Sequence, residues 1–113
     1  MTTLNQALTN FIQVYHAQEI LVAEQHQWNC TIALVATDTH ETVTLQVKEG
    51  RVVNLFEALT EVDLLVSAEA SVLYDILEFR RDPNEPYLFG ELTVQGPEVH
   101  FLRLDYVVTK LCP

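Results

Sequence analysis

Positive charge is what this chain has least of. Lys48, Arg51, Arg80, Arg81, Arg103 and Lys110 make up its 6 basic side chains against 16 acidic ones, for a formal net charge of −10. Six scattered cations do not neutralise a run of phosphates, which excludes nucleic acid as a partner. The same deficit excludes simple electrostatic attachment to an anionic membrane surface, and the acidity reads as solubility. Cysteine is nearly absent: Cys30 and Cys112 form no Cys-x-x-Cys and have no zinc-like spacing. Both are expected as reduced thiols, with Cys30 packed in the core. Only three glycines and four prolines interrupt 113 residues that are 49% apolar, so no long stretch is disordered. Without an internal repeat, a linker or a low-complexity segment, the expectation is a single domain over 1–113 with a sizeable core.

Other absences narrow the chemistry. No apolar window approaches the length of a membrane span, and the N-terminus lacks the basic start and apolar run of a secretory signal. There is no glycine-rich phosphate loop, which removes nucleotides, and no cofactor is expected. There is no Gly-x-Ser-x-Gly; Ser67 and Ser71 do not sit in a nucleophile turn, and no nucleophile, base and oxyanion arrangement can be assembled. His16, His26, His40 and His100 form no pair at i, i+3 or i+4, so no metal is expected and the histidines read as surface or capping residues.

What is present is periodicity. Thr3 and Gln6 have the spacing of a capping box, and Leu4, Leu8, Phe11, Ile12, Tyr15 and Val22 run along one side of the segment that this box opens. This predicts a helix from about Leu4 to Glu24 whose stripe covers a sheet face. From Trp28 the period falls to two. Trp28, Cys30, Ile32 and Leu34 share one face and Asn29, Thr31, Ala33 and Val35 the other, so this strand is partly apolar on both sides and should be central. After the polar loop Thr37-Asp38-Thr39-His40, Val43, Leu45 and Val47 mark a second strand. Glu49-Gly50 is a tight turn into a third, Arg51 to Glu57, and Ala58-Leu59-Thr60 links onward.

The densest run is Asp63 to Leu111. Val62, Leu64 and Val66 predict a strand, Ser67 an N-cap, and a helix from near Ala68 with Val72, Leu73, Ile76 and Leu77 as its apolar stripe. Arg80 and Arg81 fall in its expected last turn and Asp82-Pro83 is its stop. Leu92 and Val94 share a face of a further strand. Gly96-Pro97 then opens a helix to Leu111 with Phe101, Leu104, Val108 and Leu111 on one side, although Val99, Phe101 and Arg103 also fit strand alternation. The order predicts an α+β fold, a mixed five-stranded sheet with helices laid over it. Taken alone, the apolar stripes read as ordinary core, and Asp75, Glu78 and Asp82 as a solvated helix face. Trp28 and Tyr74 fit either a partner surface or a pocket mouth.

Asp82-Pro83, Pro86, Tyr87, Gly90, Leu92, Val94 and Gly96 together resemble the signature of the sterol carrier protein 2 family. Ser67-Ala68-Glu69-Ala70-Ser71 and Val47-Lys48-Glu49-Gly50-Arg51-Val52-Val53 resemble the same family, and the likeness runs from about Trp28 onward. Pro86 departs from the usual small residue and Tyr87 from the usual phenylalanine. In that family the apolar faces of helices and sheet do not close fully, and the gap holds a lipid. The resemblance therefore implies a cavity, and non-enzymatic binding or transfer of an elongated apolar ligand: fatty acyl, isoprenoid or sterol-like. The residues expected to line it are Leu73, Ile76, Leu77, Tyr87, Phe89, Phe101, Leu104 and Val108, with Tyr87 as a polar handle and the C-terminal helix as a gate.

The segment from Ser67 to Leu111 also resembles the sterol carrier domain of a bacterial accessory factor in ubiquinone biosynthesis. That implies an alternative, a scaffold presenting lipid intermediates to partner enzymes. Peroxisomal members of the family carry a Ser-Lys-Leu address, whereas this chain reads Lys110-Leu111-Cys112-Pro113, so a bacterial cytoplasmic location is expected. Either role implies a hydrophobic small-molecule partner, no stable membrane insertion, and a monomer or homodimer.

Overall fold

The computed structural model describes residues 3–58 and 60–111. The link through Leu59 and the thiol of Cys112 lie outside the described residues. The first helix, α1 (Leu4–His16), starts where the capping box predicts: the Thr3 hydroxyl accepts from the Gln6 amide and the Gln6 side chain accepts from the Thr3 amide. A second acceptor comes from far along the chain, because Glu41 Oε2 takes the Leu4 amide at 2.9 Å. The expected helix to Glu24 is in fact two. Gln18 leaves helical geometry with φ −93° and ψ 80°, and α2 (Glu19–Glu24) begins beyond it. Leu21 and Val22 turn back onto the same core as Tyr15, which is why one apolar stripe conceals the break.

The sheet is mixed and five-stranded. Its order is β3 (Arg51–Phe56), β2 (Thr42–Lys48), β1 (Cys30–Ala36), β4 (Leu64–Ala68) and β5 (Leu92–Gln95). β1 is central, antiparallel to β2 and parallel to β4, with Ile32 opposite Leu45 on one side and Leu64 on the other. β2–β3 and β4–β5 are antiparallel. The β2–β3 turn places Glu49 and Gly50 at φ 52° and 81°, the paired positive values of a tight hairpin. Gly50 is also required sterically, since a Cβ there would stand 2.5 Å from the Gln25 carbonyl oxygen. Cys30 is buried as expected.

Three expectations for the C-terminal half need correction. Ser67 does not cap a helix; it lies within β4, opposite Thr93. Helix α3 (Ala70–Leu77) is capped from across the fold, where Asp38 Oδ1 accepts the Ala70 amide at 2.8 Å and is held below its usual pKa chiefly by that bond. Next, α3 stops at Leu77, short of Arg80 and Arg81. Phe79 enters the left-handed region at φ 63°, and the Arg80 and Phe79 amides return to the Asp75 and Ile76 carbonyls, a Schellman closure without glycine. The Phe79 ring stacks on Phe11 with centroids 5.7 Å apart, which ties this closure to α1. Finally, Asp82-Pro83 opens a helix rather than ending one. Asp82 Oδ1 accepts the Asn84 amide, and a single turn, α4 (Asn84–Leu88), stands where no periodicity announced it. The last helix, α5 (Glu98–Leu111), forms as read, and the strand alternative for its start falls.

Candidate functional site

One face of the sheet and the helices above it do not meet. Ile32 and Leu34 of β1, Leu45 and Val47 of β2, Val66 of β4 and Leu92 of β5 form a floor, while α1, α3, α4 and α5 form the walls and roof of a cavity of about 400 Å³. That volume falls within the roughly 300–1,000 Å³ usual for small-molecule sites. Alternation within each strand and the 3.6-residue stripe of each helix send apolar side chains to both surfaces, so the lining is almost wholly hydrocarbon.

Of the eight side chains expected to line a cavity, Leu73, Ile76 and Leu77 from α3, Tyr87 from α4, and Phe101, Leu104 and Val108 from α5 do so. Phe89 does not. It caps α4 and is 73% exposed. Tyr87 and Phe89 would share a face in a strand, but in a helical turn residues two apart point in different directions. Trp28 lines the cavity and is 5% exposed, which rejects the partner-surface reading for it. Tyr74 is not among the lining residues. Its hydroxyl donates to Glu41 Oε1 at 2.7 Å, and that bond above all raises its pKa to about 12. Glu41 therefore clamps the start of α1 to α3, and the Leu4 amide and Tyr74 hydroxyl hold its carboxyl below the usual range.

The roof is attached differently from the floor. Among the described residues of α5 only Val107 is buried, and the other side chains it turns to the cavity, Phe101, Leu104, Asp105 and Val108, are half-buried. Polar contacts help to hold it: Trp28 Nε1–H donates to His100 Nδ1 at 3.1 Å, Arg103 donates to Gln25 Oε1 at 2.8 Å, and the Tyr106 hydroxyl meets the Glu24 carboxylate. The Tyr87 ring lies 5.2 Å from Phe101 and joins α4 to α5 at the rim.

Few polar groups reach the cavity. The Tyr15 hydroxyl is already used, donating to the Gly50 carbonyl at 2.5 Å, and burial raises its pKa. Asn84 and Tyr87 sit at the exposed edge. The lining of α1 and the sheet floor is missing from the sequence expectation, and so is the one charged lining residue among those described, Asp105, for which a signal exists. Phe101, Leu104, Asp105 and Val108 occupy i, i+3, i+4 and i+7, so a carboxylate stands on an apolar stripe. Burial first, and the Asp82 charge second, push its pKa up.

A second group of side chains converges without matching any sequence motif. Cys30 Sγ, an Asp63 carboxylate oxygen and a His100 ring nitrogen lie within 4.8 Å of one another. The expectation of no ligand cluster rests on spacing, whereas this trio joins a strand, a loop and a helix. Its members are engaged elsewhere: His100 Nδ1 accepts from Trp28, and Asp63 Oδ2 accepts from the Thr31 amide. The Cys30 thiol is pushed up to about 12 by burial and by Asp63, which makes it an inert, neutral group. Among the described residues no helix is long and apolar enough to cross a membrane.

Known proteins share this architecture. A crystal structure of sterol carrier protein 2 superposes with a TM-score of 0.69 over 96% of this chain and 92% of its own, at 18% identity. A UbiJ-SCP2 ubiquinone synthesis protein gives 0.66 over 87% and 84% at 20% identity. Palmitated SCP2L2 from Aedes aegypti gives 0.59 over 84% and 90% at 13% identity. At such identities the likeness is one of fold. No curated protein matches in sequence. The model of the SCP-2 sterol transfer family, however, matches residues 10–102, and the chain belongs to that family.

Proposed function

We propose that the whole chain is one lipid-binding domain that holds an elongated apolar molecule, a fatty acyl, isoprenoid or sterol-like lipid, between sheet and helices and carries it without chemical change. The observation that supports this reading is the cavity itself: about 400 Å³, walled by hydrocarbon from five strands and four helices. Apolar burial alone supplies affinity there, so recognition is broad along the chain of the guest. Leu73, Ile76, Leu77, Phe101, Leu104 and Val108 contact the guest, Tyr87 marks the rim, and α5 is the gate. Native mass spectrometry after gentle extraction should find a co-purifying lipid. A chain that neither retains lipid nor binds fatty acyl, isoprenoid or sterol probes has no such role.

A second reading makes the protein a cytoplasmic accessory factor that presents lipid intermediates to enzymes; one neighbour of the same fold is named a ubiquinone synthesis protein. The feature in its favour is Leu88 and Phe89, 79% and 73% exposed beside the rim. Pull-down with Phe89→Asp as a control separates the two, since Phe89 does not line the cavity: recovery of quinone-pathway enzymes that the variant loses favours presentation.

A further inference from the structure

The cavity has an acid and no base. Among the described residues that line it, none is Lys, Arg or His, and the only carboxylate is Asp105, on the cavity face of α5. No hydrogen bond or ion pair engages that carboxylate among the described residues. One further acid acts on it. Asp82 acts on it electrostatically, and Arg81, beside Asp82 in the chain, is occupied by Glu91 at 3.0 Å and Glu85 at 4.0 Å. A bare acceptor at the edge of a hydrocarbon wall is satisfied by a donor. A second carboxylate there is repelled and must shed its water for nothing.

We propose that Asp105 is the specificity-determining residue of this cavity and selects a long-chain guest with an uncharged, hydrogen-bond-donating head, an alcohol or a phenol, against a free fatty acid. The proposal rests on the reading of the cavity as a lipid site. The hydroxyl donates to the Asp105 carboxylate at the α4–α5 rim, and the chain runs inward between α3 and the sheet. The cations nearest the Tyr15 hydroxyl, Arg51 and Arg103, only partly offset the rise that burial gives its pKa; neither lines the space, and Arg103 is bonded to Gln25.

The test compares dodecanol, methyl dodecanoate and dodecanoate on the full chain at neutral pH, by calorimetry. A hydrogen bond to a charged group and the loss of repulsion together predict dodecanol at least about tenfold tighter than dodecanoate, with the ester between them. Asp105→Asn should shrink that ratio several-fold, and Asp105→Lys should reverse it. Dodecanoate equal to or tighter than dodecanol in the native chain overturns the proposal, as does an unchanged ratio in Asp105→Asn. Weakening of dodecanoate by Arg103→Gln, with Asp105→Asn silent, would put the head at the Tyr15 side and also overturn it. If none of the three probes binds the native chain or either Asp105 variant, the lipid site itself fails, a result distinct from probes that bind without discrimination.

Discussion

Lengthening the guest by one methylene at a time measures the cavity directly. Each methylene moved from water onto apolar walls contributes about 0.8 kcal/mol, which is about a fourfold gain in affinity. The lining supports that slope for as long as added carbons find hydrocarbon on all sides, and the 400 Å³ available sets where it ends. Straight-chain alcohols should therefore bind with a dissociation constant that falls about fourfold per carbon and then levels. Trp28, the only tryptophan, is a natural reporter because it lines the cavity and is 5% exposed. Its emission should change on filling and follow the same curve.

Val108→Phe is the control, since it puts a ring into the space from a half-buried position on the loosely packed helix. The slope at short lengths should persist while the levelling moves to shorter chains. Affinity that ignores chain length would show that the guest does not lie in the cavity. A slope that continues unbroken, or a break that Val108→Phe leaves in place, would show that the volume does not limit binding.

Trp28→Phe keeps an aromatic wall but removes the donor to His100 Nδ1; the lost bond costs about 1 kcal/mol locally, and amide exchange should quicken across 98–111 while β1 and β2 are unchanged. Gly96→Ala should lower stability by about 2 kcal/mol or more, read as a shifted urea midpoint at constant slope, because φ is 143° and the new Cβ would stand 2.3 Å from the Asp63 carbonyl oxygen. Glu41 contributes to the acid limb of stability. Its folded pKa lies below the usual 4.5, so its contribution is complete above that value and is lost as pH falls through the lower folded one; Glu41→Gln should flatten the decline. Asp105 acts in the opposite sense. Its folded pKa is raised, so a penalty appears as pH climbs past the usual 3.8, and Asp105→Asn should be more stable than the native chain at neutral pH and equal to it in strong acid.

The parts of the fold legible in the sequence are those set by local pattern. Apolar side chains on both faces of 28–35 mark β1 as central because only a strand with neighbours on each side and cover above needs them. Thr3 and Gln6 mark the start of α1 because both halves of the capping box lie within four residues. What the sequence conceals is settled at a distance. Ser67 satisfies the local rule for a cap, yet the Ala70 amide is taken by Asp38, 32 residues away, and Ser67 is left to β4. The early stop of α3 depends on Phe79 accepting a left-handed backbone to reach Phe11, a contact no window around residue 79 contains. The same distinction runs through the site. The stripes of α3 and α5 can be read as apolar, but α1 and the sheet floor read as plain cover, because a gap between two apolar surfaces has no periodicity. Phe89 is misplaced for the opposite reason, since α4 is too short to show a helical period.

The architecture divides labour between a packed side and an open one. Leu4, Ile32, Leu64, Val43 and Thr44 are fully buried at the start of α1 and in the middle of the sheet, where the parallel β1–β4 pair and its antiparallel neighbours lock register. Were the whole 400 Å³ held dry and empty, the cavity scale from large-to-small substitutions would set a penalty of about 10 kcal/mol, which is comparable to the entire stability of an ordinary domain. A fold of this size cannot carry that as a closed void, so the space must be filled by guest or water, or be shallow enough to close by movement of one wall. Among the described residues, α5 is lightly packed for its length. It contributes one buried side chain, and hydrogen bonds join its His100, Arg103 and Tyr106 to Trp28, Gln25 and Glu24. A helix fastened by apolar packing alone would lose its attachment each time the cavity emptied; the gate proposed for α5 would keep these hydrogen bonds as the cavity fills and empties.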